Sequence, residues 1–160
     1  MELICIDLEA SGLGPESYPI EVAWVNAESG DQDSFLIDPG TVQGWEFWDD
    51  FAEEMHGIDR AQLAAEGVSA AAACRRLNQA LAGTTPVCDA YDFDFFWLSR
   101  LFESQGVAMA FRLRGAQSLL TPEQLSRYEQ LSSAQSRSHR ALDDALDLVR
   151  LFKQLRTERA

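Results

Sequence analysis

Positive charge is scarce in this chain. Thirteen Lys and Arg stand against 26 Asp and Glu over 160 residues, a formal net charge of -13. Residues 1–66 carry the whole of the acid excess with Arg60 as their one base, while Arg100, Arg112, Arg114, Arg127, Arg137 and Arg140 lie in the later part, which is slightly basic. This excludes the broad basic face on which tight, nonspecific binding to long duplexes depends. It leaves room for a protein that holds only one end of a charged polymer. Cysteine is equally sparse: Cys5, Cys74 and Cys88 are odd in number, sit in apolar settings and lack CxxC spacing. They are expected as reduced core thiols, with neither a disulfide framework nor a zinc cluster. No window holds the roughly 18 uninterrupted apolar residues of a membrane span, and no basic segment with a following apolar stretch opens the chain. The expectation is a cytoplasmic protein with no membrane partner. Repeats and low-complexity tails are missing too, and Gly12-Leu13-Gly14-Pro15 lacks the helix and Lys-Ser/Thr of a phosphate-binding loop.

What is present suffices for one core: 46% of the residues are hydrophobic, so residues 1–160 are expected to form a single domain. Leu3 to Leu8 is apolar on both faces, as a central strand covered on both sides would be. Ile20 to Asn26 and Ser34 to Ile37, with turn-forming Glu28-Ser29-Gly30-Asp31 between them, complete an antiparallel meander. Ser69 to Leu81 has helical spacing with a Ser to cap it, stopping at Gly83. Pro86-Val87-Cys88 reads as a short buried strand, Phe93 to Phe102 as a helix, and Val107 to Leu113 as another strand. Helices at about Pro122–Ser132 and Arg140–Arg156 follow. The fold class expected is α/β.

Chemistry concentrates in three places. In Asp7-Leu8-Glu9, residues two apart share one face of a strand, so two carboxylates leave its end side by side. Converging Asp and Glu oxygens repel unless compensated, and the usual compensator is a hard divalent cation. Ser138-His139-Arg140-Ala141-Leu142-Asp143-Asp144-Ala145 is the second. Helical spacing puts Arg140, Asp147 and Arg150 beside Asp143, but Ala141, Leu148 and Leu151 beside Asp144, so Asp144 faces inward. His139 precedes or begins that helix, outside its apolar stripe, where an imidazole near acids suits proton transfer. The third is Asp89-Ala90-Tyr91-Asp92-Phe93-Asp94. From Asp94 the helical count reaches Trp97, Leu98, Leu101 and Phe102, a core stripe, which favours Asp94 as the inward acid. Asp92 is the runner-up and a candidate helix cap.

Together these residues resemble the three exonuclease motifs of the DEDDh 3′-to-5′ exonucleases, the family of proofreading exonuclease subunits, RNase T and oligoribonucleases. The resemblance rests on Asp7-x-Glu9 followed by Ala10-Ser11-Gly12, on Phe93-Asp94, and on His139-x-Ala141-x-x-Asp144-Ala145. Tyr18-Pro19-Ile20-Glu21 is similar to the family's second strand, and His56-Gly57-Ile58 to its His-Gly-Ile turn. The middle motif departs from pattern, since the family often has Asn where Asp89 stands.

The resemblance implies an RNase H-like fold, a mixed five-stranded sheet flanked by helices. It implies that Asp7, Glu9, Asp94 and Asp144 hold two divalent cations, Mg2+ or Mn2+, and that His139 is the general base. Ala10, Ser11, Gly12 and His56 are then candidates for contact with substrate, His56 reading otherwise as a turn residue. The implied activity is removal of nucleoside monophosphates from 3′ ends of single-stranded DNA or RNA. A nuclease-fold binding module without turnover, and a phosphohydrolase of small nucleotides, are the other readings. A homodimer is left open.

Overall fold

The computed structural model describes residues 2–158. Its sheet has the order β3-β2-β1-β4-β5, built from β1 (Ile4–Ala10), β2 (Pro19–Asn26), β3 (Gln32–Leu36), β4 (Val87–Cys88) and β5 (Arg114–Gly115). The first three strands form the antiparallel meander, and β4 and β5 add in parallel beside β1. Six helices accompany them: α1 (Asp50–His56), α2 (Arg60–Glu66), α3 (Ala70–Leu81), α4 (Tyr91–Gln105), α5 (Pro122–Ala134) and α6 (Ala141–Glu158). The class is α/β, a mixed five-stranded sheet with helices on both faces, as expected from the sequence.

The alternation of β1 decides where everything else sits. Ile4, Ile6, Leu8 and Ala10 join the larger core, with Leu77 of α3 and Leu98 and Leu101 of α4. Leu3 and Cys5 join the second core, with Leu148, Phe152 and Leu155 of α6 and Tyr128 of α5. With a side-chain period of two, Asp7 and Glu9 continue the Leu3–Cys5 face. They therefore leave the strand toward α6, the helix that carries Asp144. Near its end β1 carries a register shift between Glu9 and Ala10, of the kind that re-aims side chains next to functional sites.

Three local expectations need revision. The strand expected at Val107–Leu113 is a loop whose backbone bonds run elsewhere. The Asn78 side chain donates to the Ala108 carbonyl and accepts from Ala110 N–H, while Gly83 N–H bonds to Ala110 and Arg112 N–H to Thr84. Phe111 and Met109 still pack on the core, which is the apolar signal that mimicked a strand. The chain enters the sheet only at Arg114–Gly115. Helix α4 begins at Tyr91, with Ala90 at its cap and no side-chain capping bond, so Asp92 is no cap but an exposed first-turn residue. The short helices α1 and α2 escaped the sequence reading, although Asp49 and Asp59 cap them. Ser69 does cap α3 through Ala72 N–H at 3.1 Å. Among the described residues, no helix is long and apolar enough to cross a membrane.

Leu98 is fully buried where α4 meets the sheet. Leu98→Ala is expected to cost about 2–5 kcal/mol of unfolding free energy, read from urea titration. A loss within experimental error would mean that the α4 stripe does not hold the site helix in place.

Candidate active site

The site forms where the ends of β1 and β4 meet the N-termini of α4 and α6. One oxygen each from Asp7, Glu9 and Asp144 can be chosen so that all lie within 4.8 Å of one another. Asp94, 2% exposed, follows β4 on the first turn of α4, and its charge acts on Asp7 more than that of any other residue. Burial raises its pKa, and the nearby Cys88 thiol and Ala90 backbone act in the opposite sense. Asp92 points away and lines a separate surface hollow with Pro15, Phe93 and Phe96. Of the two aspartates left open by the sequence, Asp94 is thus the one beside Asp7.

Electrostatically the cluster is overloaded. Burial is the main cause that pushes the Asp7 carboxyl well above its usual range, followed by Asp94, Glu9 and Asp144. Glu9 is raised to about 9, again first by burial and then by Asp144 and Glu21. Burial also raises Asp94 and Asp144. Glu9 and Asp144 lie close enough for each to act on the other's proton affinity. Even so, Asp7 Oδ2, Asp94 Oδ2 and Asp144 Oδ1 are buried with no hydrogen-bond partner. Leaving a polar atom buried and unpaired costs about 1–3 kcal/mol. Oxygen ligands that converge, are buried and are unsatisfied fit a hard divalent cation, and three aspartates and a glutamate form the type of donor set that Mg2+ or Mn2+ takes.

His139 lies on the loop between α5 and α6, half-buried, at φ 56, and is the one non-glycine residue with positive φ among those described. Its charge acts on Asp144. His56 ends α1, where Gly57 at φ 73 turns the chain. Its Nδ1 accepts Ile58 N–H at 3.0 Å. The opposite nitrogen, Nε2, is buried and closes no hydrogen bond of good geometry, and burial lowers the imidazole pKa.

Glu9, Ala10, Gly12, Phe51, Met55 and His56 line a pocket of about 150 Å³ next to the acids. Gly12 is buried in it because a Cβ there would stand 2.8 Å from the Phe47 ring and 2.9 Å from Asp49. Ser11 is the candidate that the structure turns elsewhere: its hydroxyl accepts Tyr18 N–H at 3.1 Å and its carbonyl accepts Asp49 N–H at 2.9 Å. It straps the loop together and does not line the pocket.

Sequence reasoning missed a second ring of charged groups. Asp89 accepts hydrogen bonds from the Tyr128 hydroxyl and from the Arg137 guanidinium. Glu21 pairs in register with Glu9 on the neighbouring strand and accepts the Arg140 guanidinium at 2.7 and 3.1 Å and Ala141 N–H at 2.8 Å. The signal that could have revealed Glu21 is a lone acid in the apolar stretch Tyr18–Val25, which a buried strand tolerates only with a partner.

The order of the strands and the helices on both faces define an RNase H-like α/β fold. Within that fold, the chain is similar to solved structures of exonuclease I. These include the zinc-bound complex of the Escherichia coli enzyme with single-stranded DNA, at 17% identity and a TM-score of 0.77 over 98% of this chain and 40% of that one. The E. coli exonuclease I complex with a dT13 oligonucleotide aligns at 18% identity and 0.76, over 98% and 41%. Exonuclease I from Methylocaldum szegediense aligns at 16% and 0.71, over 96% and 40%. This chain therefore spans about two fifths of the length of those exonuclease I chains. No family model matches the chain, and no curated protein matches it.

A buried carboxyl with a raised pKa makes the folded state bind more protons than the unfolded one, so stability falls as pH rises between the two values. For Glu9 that window runs from its ordinary 4.5 to about 9. The melting temperature of metal-free protein is expected to drop from pH 5 to pH 9, and Asp7→Asn to flatten the drop. A wild-type melting temperature that climbs across this window would contradict the crowded acids.

Proposed function

We propose that this domain is a metal-dependent 3′-to-5′ exonuclease of the DEDDh type. It would hydrolyse phosphodiester bonds at the 3′ end of single-stranded DNA or RNA and release nucleoside monophosphates. The observation that carries this reading is the convergence of Asp7, Glu9 and Asp144, with Asp94 beside them, carrying buried oxygens that lack partners. Support also comes from the fold, shared with exonuclease I chains solved with single-stranded oligonucleotides.

Asp7, Glu9, Asp94 and Asp144 would hold two divalent cations, Mg2+ or Mn2+. When bound, such ions neutralise the acids, lower the proton affinity of water and stabilise charge that develops in an in-line phosphoryl displacement. His139 would accept the proton of the attacking water, since it is half-buried beside Asp144 and free of the helix. The pocket would seat the terminal nucleoside, with Phe51 and Met55 against the base and His56 in its wall. Phe51 is 68% exposed, as a side chain that awaits a stacking partner would be. With cations balancing the phosphate, the chain needs no extended basic surface, in keeping with its charge of -13.

Single-stranded DNA and RNA oligomers labelled at the 5′ end should shorten stepwise with Mg2+ or Mn2+ and stop shortening with EDTA. Asp7→Ala should abolish the ladder, and His139→Ala should slow it by about 10²–10⁴-fold. If neither polymer is shortened by the wild-type domain with either ion, the exonuclease reading fails. Retained binding of the oligomers would then identify a module without turnover, and release of phosphate from mononucleotides a phosphohydrolase.

A further inference from the structure

We propose that Asp89 and Glu21 are positioning residues for His139: each grips an arginine that flanks it, and together they fix the loop that presents the imidazole to the acids. The inference rests on the exonuclease reading only for its kinetic consequence. Among the described residues no hydrogen bond holds the His139 ring itself, so its direction has to come from the backbone. That backbone is in the left-handed region, at φ 56, a conformation that costs a non-glycine residue energy and persists only where the surroundings impose it.

The surroundings do so from both sides. Two residues before His139, Arg137 is tied to Asp89, and Asp89 is also bonded to the hydroxyl of Tyr128. Tyr128 is 2% exposed and packed on Phe152, so this anchor is fastened to the second core. One residue after His139, Arg140 forks onto Glu21. The same carboxylate accepts Ala141 N–H at the first turn of α6, and Glu21 is 4% exposed in a central strand. Charge-assisted, forked pairs of this kind fix direction as well as distance. The clamp therefore spans four residues, Arg137 to Arg140, with the imidazole between its jaws.

The pattern of hydrogen bonds separates these two acids from the metal candidates. Both oxygens of Asp89 are engaged, one by Tyr128 and one by Arg137, and both oxygens of Glu21 are engaged by Arg140 and Ala141. Asp7, Asp94 and Asp144 each keep a buried oxygen with no partner. Asp89 and Glu21 are thus already held by donors from the loop and its anchors, and their task is mechanical.

The chain has two histidines, His56 and His139, so the Cε1–H region of a carbon–proton NMR spectrum contains two imidazole signals, assigned with His139→Ala. In Asp89→Ala and in Glu21→Gln the His139 signal should broaden as the loop exchanges between positions, while the His56 signal keeps its width. Turnover of a single-stranded oligomer should fall about 10–100-fold, the usual effect of losing an outer-shell partner, with KM and Mn2+ affinity by calorimetry little changed. Asp89→Asn, whose amide oxygen can still accept from Arg137 while its NH2 group donates to the Tyr128 oxygen, should recover part of the loss. If Glu21→Gln does not fold, Arg140→Met releases the same jaw and is read in the same way. An unaltered His139 signal in both jaw variants, or Mn2+ affinity that falls as steeply as turnover, overturns the clamp. Should the wild type show no cleavage at all, the exonuclease reading falls, and the histidine spectra still decide this proposal.

Discussion

Four carboxyl groups share one end of the sheet with little water to screen them, and their mutual repulsion is the constraint that the rest of the structure accommodates. Two-residue alternation places Asp7 and Glu9 on the α6 face of the central strand, and burial then raises both. Asp144 and Asp94 approach from the N-termini of two different helices, where unpaired N–H groups favour negative charge. The helix ends relieve a part of the repulsion, and the raised proton affinity of the buried carboxyls relieves another. Orphaned oxygens on three of the four acids record what is left over. An arrangement this unfavourable on its own is intelligible as a seat for cations, which convert the repulsion into binding.

Around that seat the fold uses its remaining cations sparingly and structurally. Arg137 and Arg140, partly exposed as they are, are each committed to a carboxylate. Some of the exposed arginines elsewhere are also paired, as Arg76 with Asp33 and Arg127 with Glu158. The pocket beside Glu9, walled by Phe51, Met55 and His56, is by contrast mainly apolar.

The parts of the fold written in local patterns were legible in the sequence. The alternation in β1 and β2, the Ser69 cap and the inward stripe of α6 lead directly to the elements observed. Asp144 over Asp143, and Asp94 over Asp92, followed from helical spacing alone, because each faces the side its apolar neighbours face. What escaped was set by contacts far apart in sequence. Residues 107–113 have strand-like composition, yet the Asn78 side chain takes their backbone bonds. The role of Asp89 depends on Tyr128 and Arg137, some 40 residues away, and Glu21 meets its partner across 119 residues. Ser11, beside the acids in the chain, is spent on holding Tyr18. No periodicity announces such pairings.

The account stands on the acids being a cation site, and anomalous diffraction from crystals soaked in manganese tests this most directly. The expected result is strong anomalous density among Asp7, Glu9, Asp94 and Asp144, with their carboxylates turned toward it. Fully soaked crystals with the four side chains in place and no anomalous density between them would contradict it.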